Sequence, residues 1–551
     1  MLTTDSAKRL IDHARWIDAA CCLALVSLSL GLGMYTVSNS GPLWDDGPQY
    51  ANGGAMIRDW LASGEFLHPY RFAQNNYAQY PFFSVPYHPP GYPGLLGLWF
   101  LMVGTSYPAA RCFIALCLGG AACSFCGILR RQGATRAVAF AGALLLLTTP
   151  EIARWSRCTM SEVPALMFIL AGSYCFVRWV DTDRRGWCWA AFLLAEVAFF
   201  CRVTTAGVLP AWFAFLLTKR DYRRFLSAHL AIPTLLYMAF NVAWVRYIVT
   251  GFAQYELDNP LWQATSRFSW ENLSFYPGAL PQLSGWLVLI VAGISTSLIA
   301  RNRTWARFLF FWLSWLLSNW LFHCWLNVHE PRYFTFALPS VCALATGLLL
   351  GRSSSRVWTS LTIAVAGLMI VANCTYVVNL PQGVVGMEAV AERLAQLDQP
   401  GNVLLACPSD SDLAFRFRGR QCRYRRQMIR ADRTLAVRTS DYTGVAPRVL
   451  ATSASDVLDV IHRGRVRYVL TYSPWSPPVS RRTAEEILVH DTLSGLPEQF
   501  TLIDQFSLTR SAGRRGPHCN VHLWQFRGEL PPGPSEIPIV IPTASLTLLP
   551  E

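Results

Sequence analysis

Lysine is almost missing from this sequence. Lys8 and Lys219 are the only two, and arginine makes up the rest of the 47 basic residues. Charge of either sign is scarce: 15% of the 551 residues are charged, against 52% hydrophobic and 13% aromatic. That balance excludes an ordinary soluble enzyme and points to a polytopic membrane protein. The chain also lacks a P-loop, a dinucleotide fingerprint after a strand, an H-E-x-x-H pair and a nucleophile elbow, so nucleotide-driven transport and ordinary hydrolase chemistry lose support. No C-x-x-C pair is flanked by a second pair. Cys21, Cys22, Cys112, Cys117, Cys123 and Cys126 lie in apolar runs and read as buried thiols. Outside the apolar half only Cys407, Cys422 and Cys519 remain, which allows at most one disulfide.

What is present is a formal net charge of +13, distributed as short arginine clusters between apolar runs. That is the pattern of membrane topology and not of a nucleic-acid-binding stripe. Lys8, Arg9 and Arg15 precede a run over 16–35 that is long enough to cross a bilayer. No small-residue cleavage site follows, so this reads as an uncleaved span with a cytoplasmic N-terminus. Further apolar runs lie at 92–104, 109–129, 137–149, 161–180, 187–201, 204–218, 228–248, 285–300, 306–325, 333–351 and 357–379. The basic clusters between them, taken as cytoplasmic, pair the spans from Arg136 onward.

Two runs, 92–104 and 109–129, lie between the first outer loop and the cluster at Arg130, where only an odd number of crossings fits. The shorter run is therefore expected to be re-entrant or interfacial. The predicted architecture is a polytopic α-helical membrane domain over 1–380 with eleven transmembrane helices, followed on the outer face by a second domain. In that second part short apolar runs alternate with helical stretches: a helix at 387–397, a strand at 402–407, a helix at 455–462, a strand at 467–472, then FTLIDQFSL and HCNVHLWQF. The alternation predicts an extracytoplasmic α/β domain over 381–528 with its sheet covered on both faces. The Pro-rich tail, 529–551, is expected to be disordered.

The longest polar interruption of the apolar half is 40–93, expected to be a loop of functional use. Asp45 and Asp46 follow Trp44 just beyond the first span, where capping of a helix that begins near Gln49 is the alternative to a catalytic role. Asp59 and Glu65 read as a solvated helix face. His88, set before Pro89 and Pro90, could give a hydrogen bond to a phosphate, ligate a metal or simply pack. Glu162 opens the span 161–180, a position that also stabilises a helix N-terminus. Glu196 lies inside an apolar run, where a carboxylate is a functional candidate and pairing with an arginine the alternative. Arg202 and Arg332 stand at outer ends of spans. Snorkelling would account for each alone, but two arginines beside clustered carboxylates point to an anionic ligand, which the guanidinium fork suits.

The acidic pair that opens the first outer loop, the segment HPPGYPGL, the segment SRCTMSEVPALMFILAGSY and the segment HEPRYFTFALP together, in this order, resemble the GT-C glycosyltransferases. The likeness is to the protein mannosyltransferase and aminoarabinose transferase group, which uses polyprenyl-phosphate-linked sugars, and it covers about residues 16–380. It implies a base among Asp45 and Asp46, where the family usually has Asp-Glu; Asp45 is taken as the base and Asp46 as support. It further implies a second acid at Glu162, a basic position at Arg202, and donor-phosphate contacts from Arg332 and Tyr333. The implied partners are a polyprenyl-phosphate-sugar donor, an unidentified acceptor and the lipid of the cytoplasmic membrane. No metal-ligand set is forced by spacing, and the cofactor stays undetermined. A sugar on a phosphate already has its leaving group, so the site needs positive charge for that phosphate and a base for the acceptor, and direct inverting displacement is expected. A transporter or lipid flippase is the rival, but it calls for broken helices repeated in two halves, which are not seen. A non-catalytic relative that binds a partner through its outer domain is the third reading.

Overall fold

The computed structural model describes residues 4–35, 46–82, 88–218, 224–225, 227–251, 266–301, 305–327, 329–347, 356–378, 383–420, 422–437, 448–474, 483–511, 518–533, 535–537, 539–541 and 546–548. Asp45 lies outside these residues, as does Tyr87.

The apolar runs fold as helices that stop at the polar punctuation. α1 (Thr4–Met34) is followed by α2 (Asp46–Ser63), α3 (Pro69–Gln79) and α4 (Gly91–Val103). The polar interruption is thus helical over much of its described length, where a loop was expected. α5 (Tyr107–Arg131) and α6 (Arg136–Thr148) start at Ser106 and Thr135, whose side chains accept from the Ala109 and Val138 N–H groups as N-caps. Next come α7 (Pro150–Trp155), α8 (Glu162–Thr182), α9 (Arg185–Cys201), α10 (Leu209–Leu217) and α11 (Ala228–Gly251). α12 (Trp270–Ser284) and α13 (Trp286–Ala300) bend by 112° at Gly285, whose φ of 89° suits glycine. α14 (Ala306–Leu326), α15 (Leu338–Thr346) and α16 (Arg356–Val378) complete the helical part.

This is a multi-pass membrane protein. Among the described residues five helices are long and apolar enough to cross a bilayer, or six if the bent pair counts as one, and four shorter apolar helices stand beside them. The eleven expected crossings are not reached by that measure, because several of the apolar runs form helices shorter than a straight span needs. α4 is one of the short ones. It packs along α2, where a Cβ on Gly54 would meet Leu96 at 3.0 Å, and it leaves Leu98, Leu101, Met102 and Val103 exposed.

The second part is a six-stranded sheet in the order β1-β7-β8-β6-β2-β3. Its strands are β1 (Gly383–Val385), β2 (Asn402–Leu405), β3 (Met428–Arg430), β6 (Val466–Tyr472), β7 (Phe500–Ser511) and β8 (His518–Phe526); β4 (Ala436–Val437) and β5 (Arg448–Val449) form a separate pair. β2 runs parallel to β3 and β6, and the remaining pairings are antiparallel. Side chains alternate across the pleat. Val403 and Leu405 face α17 (Met387–Gln396) and α18 (Asp410–Arg418), while Leu404 faces α20 (Ala454–Arg463) and α21 (Ala484–Gly495); the short α19 (Ala431–Thr434) follows β3.

The tail departs from expectation. Ile537 is buried on the Leu404 side of the sheet, the Glu536 N–H donates to the Arg463 carbonyl, and β9 (Ile539–Ile541) pairs with β10 (Leu546–Leu548). Apolar residues between the prolines give the tail something to bury. All sixteen cysteines are free thiols.

Candidate active site

Asp46 is the first residue of α2, where the helix dipole favours a carboxylate. Gly47 follows it against the segment before α8, and a Cβ there would lie 2.8 Å from Thr159 Oγ1. Glu162 begins α8 with no exposed surface. Arg202 terminates α9 in an extended conformation, and Arg332 and Tyr333 sit in a 3-10 turn, Pro331–Ala337, whose opening proline has its φ already set for the turn. The Thr205 and Thr335 hydroxyls donate to the Arg202 and Arg332 carbonyls at 2.9 and 2.6 Å, fixing the backbone under each guanidinium.

These residues meet. Arg332 Nη1 donates to Asp46 Oδ2 at 2.9 Å, and Arg202 Nη2 lies 3.3 Å from Glu162 Oε1. The Tyr333 ring holds both guanidinium groups, with Arg202 Cζ at 4.6 Å and Arg332 Cζ at 5.2 Å from its centroid. Two like charges beside one ring are tolerable because each has its own carboxylate and the ring face attracts both. Among the described residues no hydrogen bond reaches either Glu162 oxygen. A fully buried carboxylate in that state is ready to accept from a hydroxyl or amine.

Tyr50 joins the Arg202–Glu162 pair and was missed in the sequence. Its hydroxyl accepts from Arg202 Nη1 and from Ser161 Oγ, each at 3.3 Å, and its ring stacks on His88 with centroids 4.7 Å apart. The spacing could have revealed it: Tyr50 is four residues after Asp46 and shares its helix face.

Burial pushes the Asp46 carboxyl up, but His88, Arg332 and Arg202 outweigh it and hold the group below the ordinary carboxylate range. Burial, the largest effect on His88, brings its pKa down to about 4. His88 is therefore neutral near pH 7, and there the charge facing Asp46 comes from the arginines. Burial also disfavours both guanidinium groups. Glu162, Tyr333 and Tyr50 around Arg202, and Tyr333, Glu162 and Asp46 around Arg332, outweigh it and keep each firmly protonated.

Glu196 stands apart. It lies within α9 and accepts from Asn241 Nδ2 at 3.3 Å, so its partner is an amide of α11 and not an arginine. Asp59 is not merely solvated, because Arg418 Nη2 donates to it at 2.7 Å. Among the described residues no group of three or more His, Cys, Asp or Glu side chains is disposed to hold a metal ion.

Carboxylates and arginines gather where α2, α8, α9 and the turn before α15 meet, and the bundle of membrane helices with an α/β domain appended is the fold of the GT-C glycosyltransferases. The chain has that fold and resembles the protein mannosyltransferase and aminoarabinose transferase group. The family model described as dolichyl-phosphate-mannose-protein mannosyltransferase matches residues 87–248. Among solved structures, ArnT from Cupriavidus metallidurans bound to undecaprenyl phosphate is 14% identical with a TM-score of 0.55, over 93% of this chain and 99% of that one. The same protein in the apo state gives a TM-score of 0.58 at 14% identity, over 93% and 98%. The arabinofuranosyltransferase AftD from Mycobacteria gives 0.52 at 15% identity, over 94% of this chain and 42% of that one. No curated protein matches.

Proposed function

We propose that this protein is an integral membrane glycosyltransferase. It moves a sugar from a polyprenyl-phosphate donor to an acceptor on the outer face of the cytoplasmic membrane. The observation that carries the reading is the Tyr333 ring with two guanidinium groups 4.6 and 5.2 Å from its centroid, each paired to a carboxylate from a different part of the chain. Two arginines in this setting suit a phosphate, through paired charge-assisted hydrogen bonds. The undecaprenyl phosphate bound by the ArnT neighbour supports a lipid phosphate as that ligand.

The chemistry follows from the competition for Arg332. A donor phosphate that reaches Arg332 draws it from Asp46, and the carboxylate, relieved of its partner, becomes a better base. Asp46 accepts the proton of the acceptor hydroxyl or amine as that atom attacks the anomeric carbon. The bond from that carbon to the phosphate oxygen breaks, the electron pair leaves on the phosphate, and Arg202 and Arg332 stabilise the charge. Attack opposite the leaving group inverts the anomeric centre. Glu162 orients the acceptor by accepting a hydrogen bond, and His88, as a neutral imidazole, packs on Tyr50. Of the pair, Asp46 is the member set against Arg332, and Asp45 lies outside the described residues. The products are the glycosylated acceptor and the polyprenyl phosphate.

The test is release of polyprenyl phosphate by purified protein in vesicles, given a panel of polyprenyl-phosphate-linked hexoses and pentoses. Asp46→Asn should lower kcat by about 10²- to 10⁴-fold, the usual contribution of a general base. If Asp46→Asn, well folded, keeps full activity, the assignment of the base is wrong.

A further inference from the structure

We propose that the α/β domain is the second support of the helix that carries Asp46, and that Arg418 and Asn52 are positioning residues for the transfer. The link to transfer rests on the function proposed above; the clamp itself rests on contacts. α2 is held at four levels. Asp46 meets Arg332, and one turn on Tyr50 meets Arg202 and Ser161, all within the helical part. The other two levels belong to the α/β domain. Asn52, fully buried, donates from Nδ2 to the Ser411 carbonyl and to the Pro48 carbonyl, each at 2.9 Å. Asp59 accepts from Arg418 Nε at 3.2 Å and Nη2 at 2.7 Å. The Arg418 side chain is 3% exposed, with its Cζ 4.8 Å from the Tyr80 ring centroid, so it has little freedom to do anything else.

The two parts also exchange aromatic rings. Phe82, from the segment after α3, is buried in the core of the α/β domain with Met387, Leu413 and Met428. Phe415, from α18, is buried in the core of the helical part, 4.6 Å from the Tyr107 ring and 5.9 Å from Phe100. Gln427 Nε2 donates to the Ala78 carbonyl at 3.0 Å and closes the far side of the α2–α3 hairpin.

Leverage makes the clamp matter. From Asp46 to Asp59 the helix runs about 20 Å, so a tilt of about 3° about the Asp59 end moves Asp46 by about 1 Å. A misplacement of that size costs a reaction on the order of 100-fold.

Arg418→Ala in the full-length protein should lower kcat roughly 10- to 100-fold while KM for the polyprenyl-phosphate sugar stays within about twofold. Amide exchange over 46–52 should quicken by about tenfold or more, with α5 unchanged. Arg418→Lys, which keeps the charge and loses the fork, should fall between. Should Arg418→Ala fail to fold, Asp59→Asn keeps the shape and should move the same two readouts in the same direction. The proposal is overturned if kcat stays near wild type, if only the acceptor KM changes, or if exchange quickens uniformly over the whole molecule. A wild-type protein that transfers no sugar, yet shows the local exchange response in Arg418→Ala, would sink the transferase reading and leave the clamp standing.

Discussion

Replacing Arg202 by methionine removes the only charged partner, among the described residues, within ion-pair distance of Glu162, a carboxylate with no exposed surface. At 3.3 Å the two charges attract by about 5 kcal/mol if the effective dielectric constant is near 20. Breaking a buried pair by removing one member typically costs about 3–5 kcal/mol, because the other charge stays buried. With an unfolding entropy on the order of 1 kcal/mol/K for 551 residues, Arg202→Met should therefore lower Tm by about 3–4 °C. Removing both charges, as Glu162→Gln with Arg202→Met, leaves nothing uncompensated, and most of the lost stability should return. Transfer should not return with it, since the phosphate clamp and the orienting carboxylate are both gone. The assay is a double-mutant cycle followed by tryptophan fluorescence on heating in one detergent, with transfer measured on the same samples. If the double variant is as unstable as Arg202→Met alone, the two side chains are not coupled and the electrostatic account of the site fails.

Three further outcomes are expected. His88 is neutral when folded down to about pH 4, whereas an ordinary histidine takes a proton near 6.5; stability is complete above about pH 6.5 and is lost as the pH falls toward about 4, and His88→Phe should flatten that part of a pH–Tm curve. Phe415→Ala empties a site in the helical core and should cost about 3–5 kcal/mol, read as a lower Tm with faster proteolysis after α18. Tyr333→Phe keeps the ring beside the arginines and should change transfer by less than about tenfold, while Tyr333→Leu, which removes the cation–π contact, should cost more; equal losses in the two variants would refute the ring's role.

The spans were legible because burial in lipid demands long apolar runs, and such runs need no tertiary information to be recognised. The run expected at 109–129 is the helix Tyr107–Arg131, and the run expected at 306–325 is Ala306–Leu326. α2 was harder to see. Gly47, Gly53 and Gly54 weaken its helical signal, and they are there because α4 and Thr159 approach too closely for larger residues at Gly54 and Gly47. Asp59 looked like a solvated residue because its partner Arg418 is 359 residues away, and no local pattern carries a pairing over that distance. Glu196 raised the same difficulty at 45 residues. The gathering of Asp46, Glu162, Arg202, Arg332 and Tyr333 was readable from the order of motifs, but their pairing was not. Which arginine meets which carboxylate depends on the turn of α2 and on the extended residue at the end of α9.

The exchange of Phe82 for Phe415 also sets an order of events during synthesis. At about 5–20 residues per second, the 359 residues between Asp59 and Arg418 delay the arrival of that partner by on the order of 20 to 70 s. Throughout that interval the helices around the first site segment can insert and pack, but Phe82 has no core to enter and the far end of α2 has nothing to grip. The arrangement at Asp46 is therefore completed late, by residues made after every helix of the helical part. A truncated product of an interrupted ribosome would hold every residue of the ion-pair cluster and still lack the part that holds it still.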